Sequence, residues 1–82
     1  MDPAIAFGHV LRTLRKDAGL SQENLAFAAE IERNFVSLIE RGKNQPTIRI
    51  VFKLAFALGI TPSAMLALVE DMLEITEQEK AK

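Results

Sequence analysis

The sequence predicts an all-α domain of five helices, and three observations carry this prediction. Nowhere along the 82 residues do Val, Ile and Thr alternate with polar residues over the length of a strand. Apolar residues recur instead three and four positions apart, which is the spacing of one helical face. Gly residues, which often end helices, are followed after a few positions by capping residues such as Ser and Thr, which often start them.

The first helix is predicted to begin near Pro3 and to stop at Gly19. Asp2 suits the N-cap position, and proline is tolerated in the first turn because its missing N–H would have no helical partner there. One face of this helix is apolar, with residues spaced by four, three and four positions: Phe7, Leu11, Leu14 and Ala18.

A second, short helix is predicted to begin after Ser21, which suits the N-cap position. Its inner face is narrow and consists mostly of small residues: Leu25, Ala28 and Ala29. A third helix, from about Arg33 to Arg41, follows a joint too short for an antiparallel hairpin of long helices. Small residues such as Ala26 allow the two helices to cross closely. Two short helices joined in this way are typical of a helix-turn-helix.

Two more helices are predicted in the second half. Gly42 ends the third helix, and the loop KNQP leads to Thr47, which caps the fourth. Gly59 ends the fourth helix, and Thr61 with the following proline starts the fifth. The apolar residues of these two helices are Val51, Leu54, Ala55 and Leu58 in the fourth, and Met65, Leu66, Leu68, Val69, Met72 and Leu73 in the fifth.

Length and composition limit the chain to one modest core, which dimerisation would supplement. We expect one domain over residues 1–75, including a dimerisation segment in the fifth helix, and a polar, frayed tail over residues 76–82. The sequence has no cysteine, and no apolar run reaches the roughly 20 residues of a membrane span. We therefore expect a cytoplasmic protein without a signal peptide and without a membrane partner.

Charge divides the chain into a mildly basic body and an acidic end. Residues 1–69 hold eight Lys and Arg against six Asp and Glu, and residues 70–82 hold two against five. The net charge of −1 argues against wholesale binding of polyanions. A basic patch on one face of the body remains compatible with it.

The third helix needs only Val36 and Ile39 for a buried stripe. Its first turn can then project outward. The residues expected on this exposed side are Glu32, Arg33, Asn34 and Ser37. They can reach a partner.

Five segments carry a resemblance to a known family: FGHVLRTLR, GLSQENLA, FVSLIERG, PTIRIVFKLAFALGI and TPSAML. In order and spacing they resemble the lambda/434-repressor-like (Xre) helix-turn-helix proteins, and most of all the short restriction–modification controller proteins. The resemblance spans roughly residues 7–68. It implies a five-helix lambda-repressor-like domain, with the helix-turn-helix in helices 2 and 3, that binds double-stranded DNA as a two-fold dimer. We expect no cofactor.

The resemblance places Arg33, Asn34 and Ser37 where the family reads base edges. The forked donors of Arg33 suit guanine O6 and N7, and the amide of Asn34 suits adenine N6 and N7. Glu32 could accept from cytosine N4 or favour the helix N-terminus through the helix dipole, and we favour the second role.

The resemblance also implies phosphate contacts, which position a protein without reading sequence. Gln22 stands where the first residue of helix 2 contacts a phosphate. Asn44 and Gln45 stand in the loop that grips the DNA backbone, and we expect contact from all three. Four basic residues could add charge but are equally compatible with a solvated surface: Arg12, Arg41, Lys43 and Arg49.

Arg15 and Glu40 match an Arg and a Glu that pair between helices 1 and 3 in phage repressors. We expect a structural ion pair, from which Arg15 could still reach a phosphate. The chain departs from the family at Glu30, in the turn, where Gly is usual. Either the turn has another geometry, or about 1 kcal/mol of backbone strain is tolerated.

Helix 5 carries more apolar surface than one domain can use. Its last apolar residues either cover the protomer's own helices or form an isologous two-fold interface, and we expect the interface. Helix 4 would join this interface through Ile50, Phe52 or Phe56. At the positions of Ile50 and Phe56 the family often has polar residues, so this chain departs from the family there. The expected interface residues are Leu66, Val69, Met72, Leu73 and Phe56.

No catalytic constellation is visible, so we expect a protein that is not an enzyme. His9 is the only histidine, and it has no nucleophile or metal-ligand partner in the sequence pattern. Glu70, Asp71 and Glu74 form an acidic cluster that is typical of a solvated helix face rather than of a metal site.

The resulting interpretation is a sequence-specific transcriptional regulator that acts as a dimer on a palindromic operator. Resemblance to controller proteins favours autoregulation, with RNA polymerase blocked or recruited according to where the protein binds. A prophage Cro-like repressor and the antitoxin of a toxin–antitoxin pair are alternative uses of the same module. A helical protein-interaction domain without DNA binding is an alternative of another class.

Overall fold

A computed structural model describes the backbone of residues 1–81 and the side chains of residues 1–74. This described chain contains five α-helices and no strand: α1 (Pro3–Asp17), α2 (Gln22–Ala29), α3 (Arg33–Glu40), α4 (Ile48–Ala57) and α5 (Pro62–Ala81). The predicted all-α fold is therefore confirmed.

Helix starts and stops follow the local chemistry of the sequence. Four N-cap side chains accept a hydrogen bond from a first-turn backbone N–H at 2.7–3.2 Å: Asp2, Ser21, Thr47 and Thr61. Left-handed glycines follow three of the helices: Gly19, Gly42 and Gly59. Helix α5 continues to Ala81, past the expected domain boundary at residue 75. Side chains from residue 75 onward and the terminal Lys82 lie outside the described residues, so the fraying of 76–82 stays a prediction.

The core forms where all five helices meet. Helix α1 packs against α3 and α5, α2 packs against α3 and α4, and α4 packs against α5. The largest fully buried side chains come from every helix: Leu11, Leu25, Val36, Ile39, Leu54 and Met65. The helix-turn-helix formed by α2 and α3 therefore rests on the other three helices.

None of the described helices is, alone, both long and apolar enough to cross a bilayer. Only the pair formed by α4 and the Pro62–Glu74 part of α5 reaches that length and composition, and these two helices are bent by 103° to each other.

Helix α1 approaches the end of α3 closely at Gly8. A Cβ added to Gly8 would clash with the carbonyl oxygen of Ile39 and would lie 2.8 Å from that of Glu40. Both obstacles are backbone atoms, so no side-chain rotation could relieve the overlap. Gly8 is thus required for the distance between α1 and α3.

The turn between α2 and α3 contains a left-handed glutamate. Glu30 has φ 58° and ψ 43°, and its N–H donates to the carbonyl of Phe27 at 3.2 Å. The N–H of Ile31 donates to the carbonyl of Ala26 at 3.0 Å, which completes a Schellman-type helix end. Of the two geometries left open by the sequence, the strained one is present.

We predict that Gly8→Ala lowers the free energy of unfolding by about 1–3 kcal/mol, because the backbones of α1 and α3 must separate. Urea unfolding followed by circular dichroism measures this decrease. The neighbouring variant His9→Ala serves as the control, since His9 is exposed and its truncation leaves the close approach of the two helices unchanged. Equal stabilities for the two variants would contradict the close approach.

We predict that Glu30→Gly stabilises the domain by about 0.5–1 kcal/mol. Relief of the left-handed strain is worth roughly 1–2 kcal/mol, and the greater freedom of Gly in the unfolded chain offsets part of it. Thermal unfolding should show a Tm raised by a few degrees, and Glu30→Ala should not show this gain because alanine keeps the strain.

Candidate nucleic-acid interface

The first turn of α3 forms an exposed polar surface. Val36 and Ile39 are fully buried, so they fix the inward face of this short helix. Arg33 and Asn34 are exposed on the outward face, and Ser37 is half-buried one turn further on. A forked guanidinium donor, an amide with one donor and one acceptor group, and a short hydroxyl therefore project from one rigidly held helix end.

Glu32 occupies the N-cap position of α3 and is exposed. Its backbone carbonyl accepts from the N–H of Phe35 at 3.0 Å, but its side chain makes no capping hydrogen bond. Direct side-chain capping is therefore not the role of this carboxylate. Its charge can still favour the helix N-terminus, and the side chain is available to a partner.

The loop after α3 continues the polar surface. Its first residues are tied to the helix end, because the N–H of Lys43 donates to the carbonyl of Leu38 at 2.9 Å. Asn44 and Gln45 are exposed in this loop, and Arg49 is exposed in the first turn of α4. Arg12 is exposed on α1, and no described hydrogen bond or ion pair links it to this surface.

A buried ion pair lies behind α3. Arg15 Nε donates to Glu40 Oε2 at 2.6 Å, and Arg15 Nη2 donates to Glu40 Oε1 at 3.0 Å. Arg15 Nη1 also donates to the carbonyl of Leu20 at 2.9 Å. Hydrogen bonding to Glu40 raises the pKa of Arg15, and burial opposes this change. Only 9% of Arg15 is exposed, which leaves its guanidinium little access to a phosphate.

Gln22, the first residue of α2, is linked to this pair. Its Nε2 donates to Glu40 Oε1 at 3.1 Å, and the residue is half-buried. The position of Gln22 in the sequence suggests a free side chain at the helix start. The structure instead gives the Gln22 amide a partner within the protein, and the pattern of residues alone does not reveal this contact.

An apolar stripe runs along the exposed face of α4. Ile48, Phe52 and Phe56 are spaced by four residues and are 73%, 46% and 67% exposed. The rings of Phe52 and Phe56 meet edge to face, with centroids 6.0 Å apart. Leu66 of α5 is also exposed, and it lines a groove of about 350 Å³ together with Ile48. We call these four residues, of which three lie on α4 and one lies on α5, the α4 stripe.

Three of the expected interface residues pack against the core of their own domain. Val69 is only 7% exposed and belongs to the core, and Met72 and Leu73 are half-buried against that core. Their position follows from the packing of α5 on α1 and α4. Val69 therefore offers little surface to a partner, and its place in a dimer interface stays a prediction. The four-residue spacing of Ile48, Phe52 and Phe56 was the sequence signal that could have identified the α4 stripe.

The candidate interface contains groups suited to hydrogen bonding. Among the described residues, no group of three or more His, Cys, Asp or Glu side chains could hold a metal ion. Forked donors on a helix end, beside a loop of amide and amine side chains, match the pattern of groups that bind base edges and phosphates.

Comparison with known proteins agrees with this geometry. The helix-turn-helix family model HTH_3 matches residues 11–65. Control protein C.MunI of a Mycoplasma species is 37% identical over 70 residues, which cover 84% of this chain and 95% of that protein. The structure of the restriction–modification controller protein C.AhdI from Aeromonas hydrophila has 42% identity and a TM-score of 0.74, over 76% of this chain and 94% of its own.

A more distant structure shares the fold over nearly the whole chain. The clp gene regulator ClgR from Corynebacterium glutamicum is 22% identical, with a TM-score of 0.91 over 99% of this chain and 86% of its own. These relatives are named as control proteins or as a gene regulator, and none of the three is named as an enzyme.

Proposed function

This chain belongs to the HTH_3 helix-turn-helix family and is a DNA-binding regulator of transcription, and we propose that it acts as a dimer on a palindromic operator. The observation that carries the proposal is the exposed first turn of α3, held from behind by two fully buried side chains. A helix presented in this way fits the major groove, where each base pair offers a distinct pattern of donors and acceptors.

Arg33 and Asn34 read base edges in this proposal. Arg33 supplies paired donors to one guanine, and Asn34 pairs a donor and an acceptor with one adenine. Ser37 is short enough to let the helix approach. Glu32 favours the helix N-terminus through the helix dipole, and because its side chain makes no capping bond it is also able to accept from cytosine N4.

Phosphate contacts come from the start of α2 and from the loop after α3. Gln22, Asn44 and Gln45 donate neutral hydrogen bonds, while Lys43 and Arg49 add charge. The placement of these side chains beside α3 supports these roles. Arg12 remains a peripheral candidate, because α1 packs against α3 and carries it on an exposed face.

Dimerisation through the α4 stripe would pair two such domains. Leu66 on α5 and Phe52 or Phe56 on α4 were expected at the interface, and Ile48 extends the surface along α4. An apolar stripe of this length is costly to leave in water, and an isologous contact would bury it against the same stripe of a second copy. Two recognition helices about 34–36 Å apart would then read a palindrome.

The five described helices share one core and so form a single DNA-binding domain. Such a domain can regulate transcription simply by occupying its DNA site. A dimer bound over a promoter blocks RNA polymerase, and one bound just upstream recruits it. Such a regulator works in the cytoplasm, where bacterial DNA lies. The names of the control-protein relatives favour a restriction–modification controller that also regulates its own gene.

One observation favours the antitoxin alternative. Phe27 on α2 is 87% exposed and lies outside the α4 stripe, so it could contact a different protein. Single exposed apolar residues are common on soluble proteins. We therefore place the antitoxin second, after the operator-binding regulator.

We predict that selection from random DNA duplexes enriches a palindromic sequence. The Arg33→Ala variant should lose its base preference at one position in each half-site. Loss of a bidentate contact should cost about 1–3 kcal/mol for each protomer. Lys43→Ala is the matched control: it should weaken all sequences alike and reduce the slope of log affinity against log salt by about 1 for each phosphate that is no longer neutralised. Absence of any enriched sequence at low salt would contradict the operator proposal.

We predict that Phe56→Glu converts the dimer to a monomer at micromolar concentration and weakens operator binding, because a carboxylate would replace the centre of an apolar contact. Analytical ultracentrifugation and a DNA titration measure the two effects. Phe27→Glu makes the same substitution at an exposed Phe outside the stripe and should leave the dimer intact. If both variants stay dimeric, the interface lies elsewhere.

A further inference from the structure

A short chain of hydrogen bonds connects α1, α3 and the start of α2. Glu40 stands at its centre, with a side chain that is only 3% exposed. One carboxylate oxygen, Oε1, accepts both from Arg15 Nη2 at 3.0 Å and from Gln22 Nε2 at 3.1 Å. Arg15 also holds the carbonyl of Leu20, two residues before Gln22. The start of α2 is thus held at two points by one buried ion pair.

The carboxylate determines which end of the Gln22 amide faces inward. An ionised carboxylate only accepts hydrogen bonds, so the amide nitrogen of Gln22, and not its oxygen, must face Glu40. Without such a partner, a glutamine at a surface can turn its amide over freely. The amide nitrogen carries a second N–H, which remains available for another acceptor.

We propose that Glu40 is a positioning residue for DNA binding, which acts by fixing the Gln22 amide so that its second N–H meets a backbone phosphate oxygen. The first backbone N–H groups of α2 have no partner within the helix and favour an anion at the same place. The inference rests on the proposed DNA-binding function and adds to it a role for a buried residue that does not touch DNA.

Fixing the Gln22 amide before DNA binds matters because the electrostatic surroundings of the helix start do not strongly attract a phosphate. Glu23 is exposed in the same turn, and its charge repels a phosphate. A donor that must first be ordered loses part of its binding free energy to that ordering, whereas a donor already held in place does not. The Glu40 contact therefore raises affinity through orientation, without adding a charge of its own to the DNA surface.

A double-mutant cycle tests this coupling with the selected operator. Gln22→Met keeps the length of the side chain and removes the amide, and Glu40→Gln removes the charged acceptor. Each single variant should bind the operator about three- to tenfold more weakly. The double variant should bind no more weakly than the weaker single variant, because both remove the same contact. Effects that multiply, or a Gln22→Met variant that binds like wild type, would overturn the proposal.

The salt dependence gives a readout that a merely structural role would not produce. Gln22 is uncharged, so Gln22→Met should lower affinity while the slope of log affinity against log salt stays unchanged. A change in that slope would mean that the variant displaces charged residues from the DNA, which contradicts a local contact.

Nuclear magnetic resonance of the wild-type protein covers the case in which Glu40→Gln does not fold, since it leaves Arg15 without its counter-charge. The Nε2 proton of Gln22 that bonds Glu40 should exchange slowly with water, and operator DNA should strongly shift the signal of the other Nε2 proton. If neither signal responds to operator, the inference fails while the proposed function stands. If the wild type selects no operator at all, the proposed function fails as well.

Discussion

The ion pair between Arg15 and Glu40 determines where the helix-turn-helix sits on the rest of the domain. Removing two charges from water costs several kcal/mol for each ion, and this cost is offset only when geometry and hydrogen bonding are good. Here Arg15 donates three hydrogen bonds, two to Glu40 and one to the carbonyl of Leu20. Among the described side chains, no buried polar atom lacks a partner. Such a pair adds little net stability, but it fixes three helices in one arrangement.

That arrangement is needed because α3 is too short to be a stable helix alone. Isolated helices below about 12–15 residues are marginal in water, so the direction of α3 comes from its contacts. Val36 and Ile39 hold its inward face, and the backbone contact at Gly8 holds its last turn. Arg33 and Asn34 can therefore be exposed without loss of order. The exposed polar face of α3 is therefore held in place by buried side chains of the same helix, only a few residues further along the sequence.

Much of this fold was predictable from sequence because local chemistry dominates it. Caps such as Ser21 and Thr47 specify helix starts by satisfying backbone groups within the same turn, which needs no knowledge of distant residues. Features that depend on contacts across the fold were not predictable. The approach at Gly8 depends on the backbone of α3, and the link between Gln22 and Glu40 joins residues on different helices. The left-handed Glu30 could be stated only as one of two geometries.

The burial of Val69 has the same origin and bears on the proposed dimer. The apolar residues of α5 gave no sign of whether they meet α1 or a second chain, because either contact satisfies the same spacing. Packing within the domain uses Val69, whereas α4 leaves three large apolar side chains exposed in one row, with Leu66 and Leu68 also exposed on α5. A net charge of −1 gives only weak general attraction to DNA. In the proposed dimer, affinity would therefore come from two correctly spaced copies of α3, so the surface that sets this spacing would matter as much for specificity as the residues proposed to touch the bases.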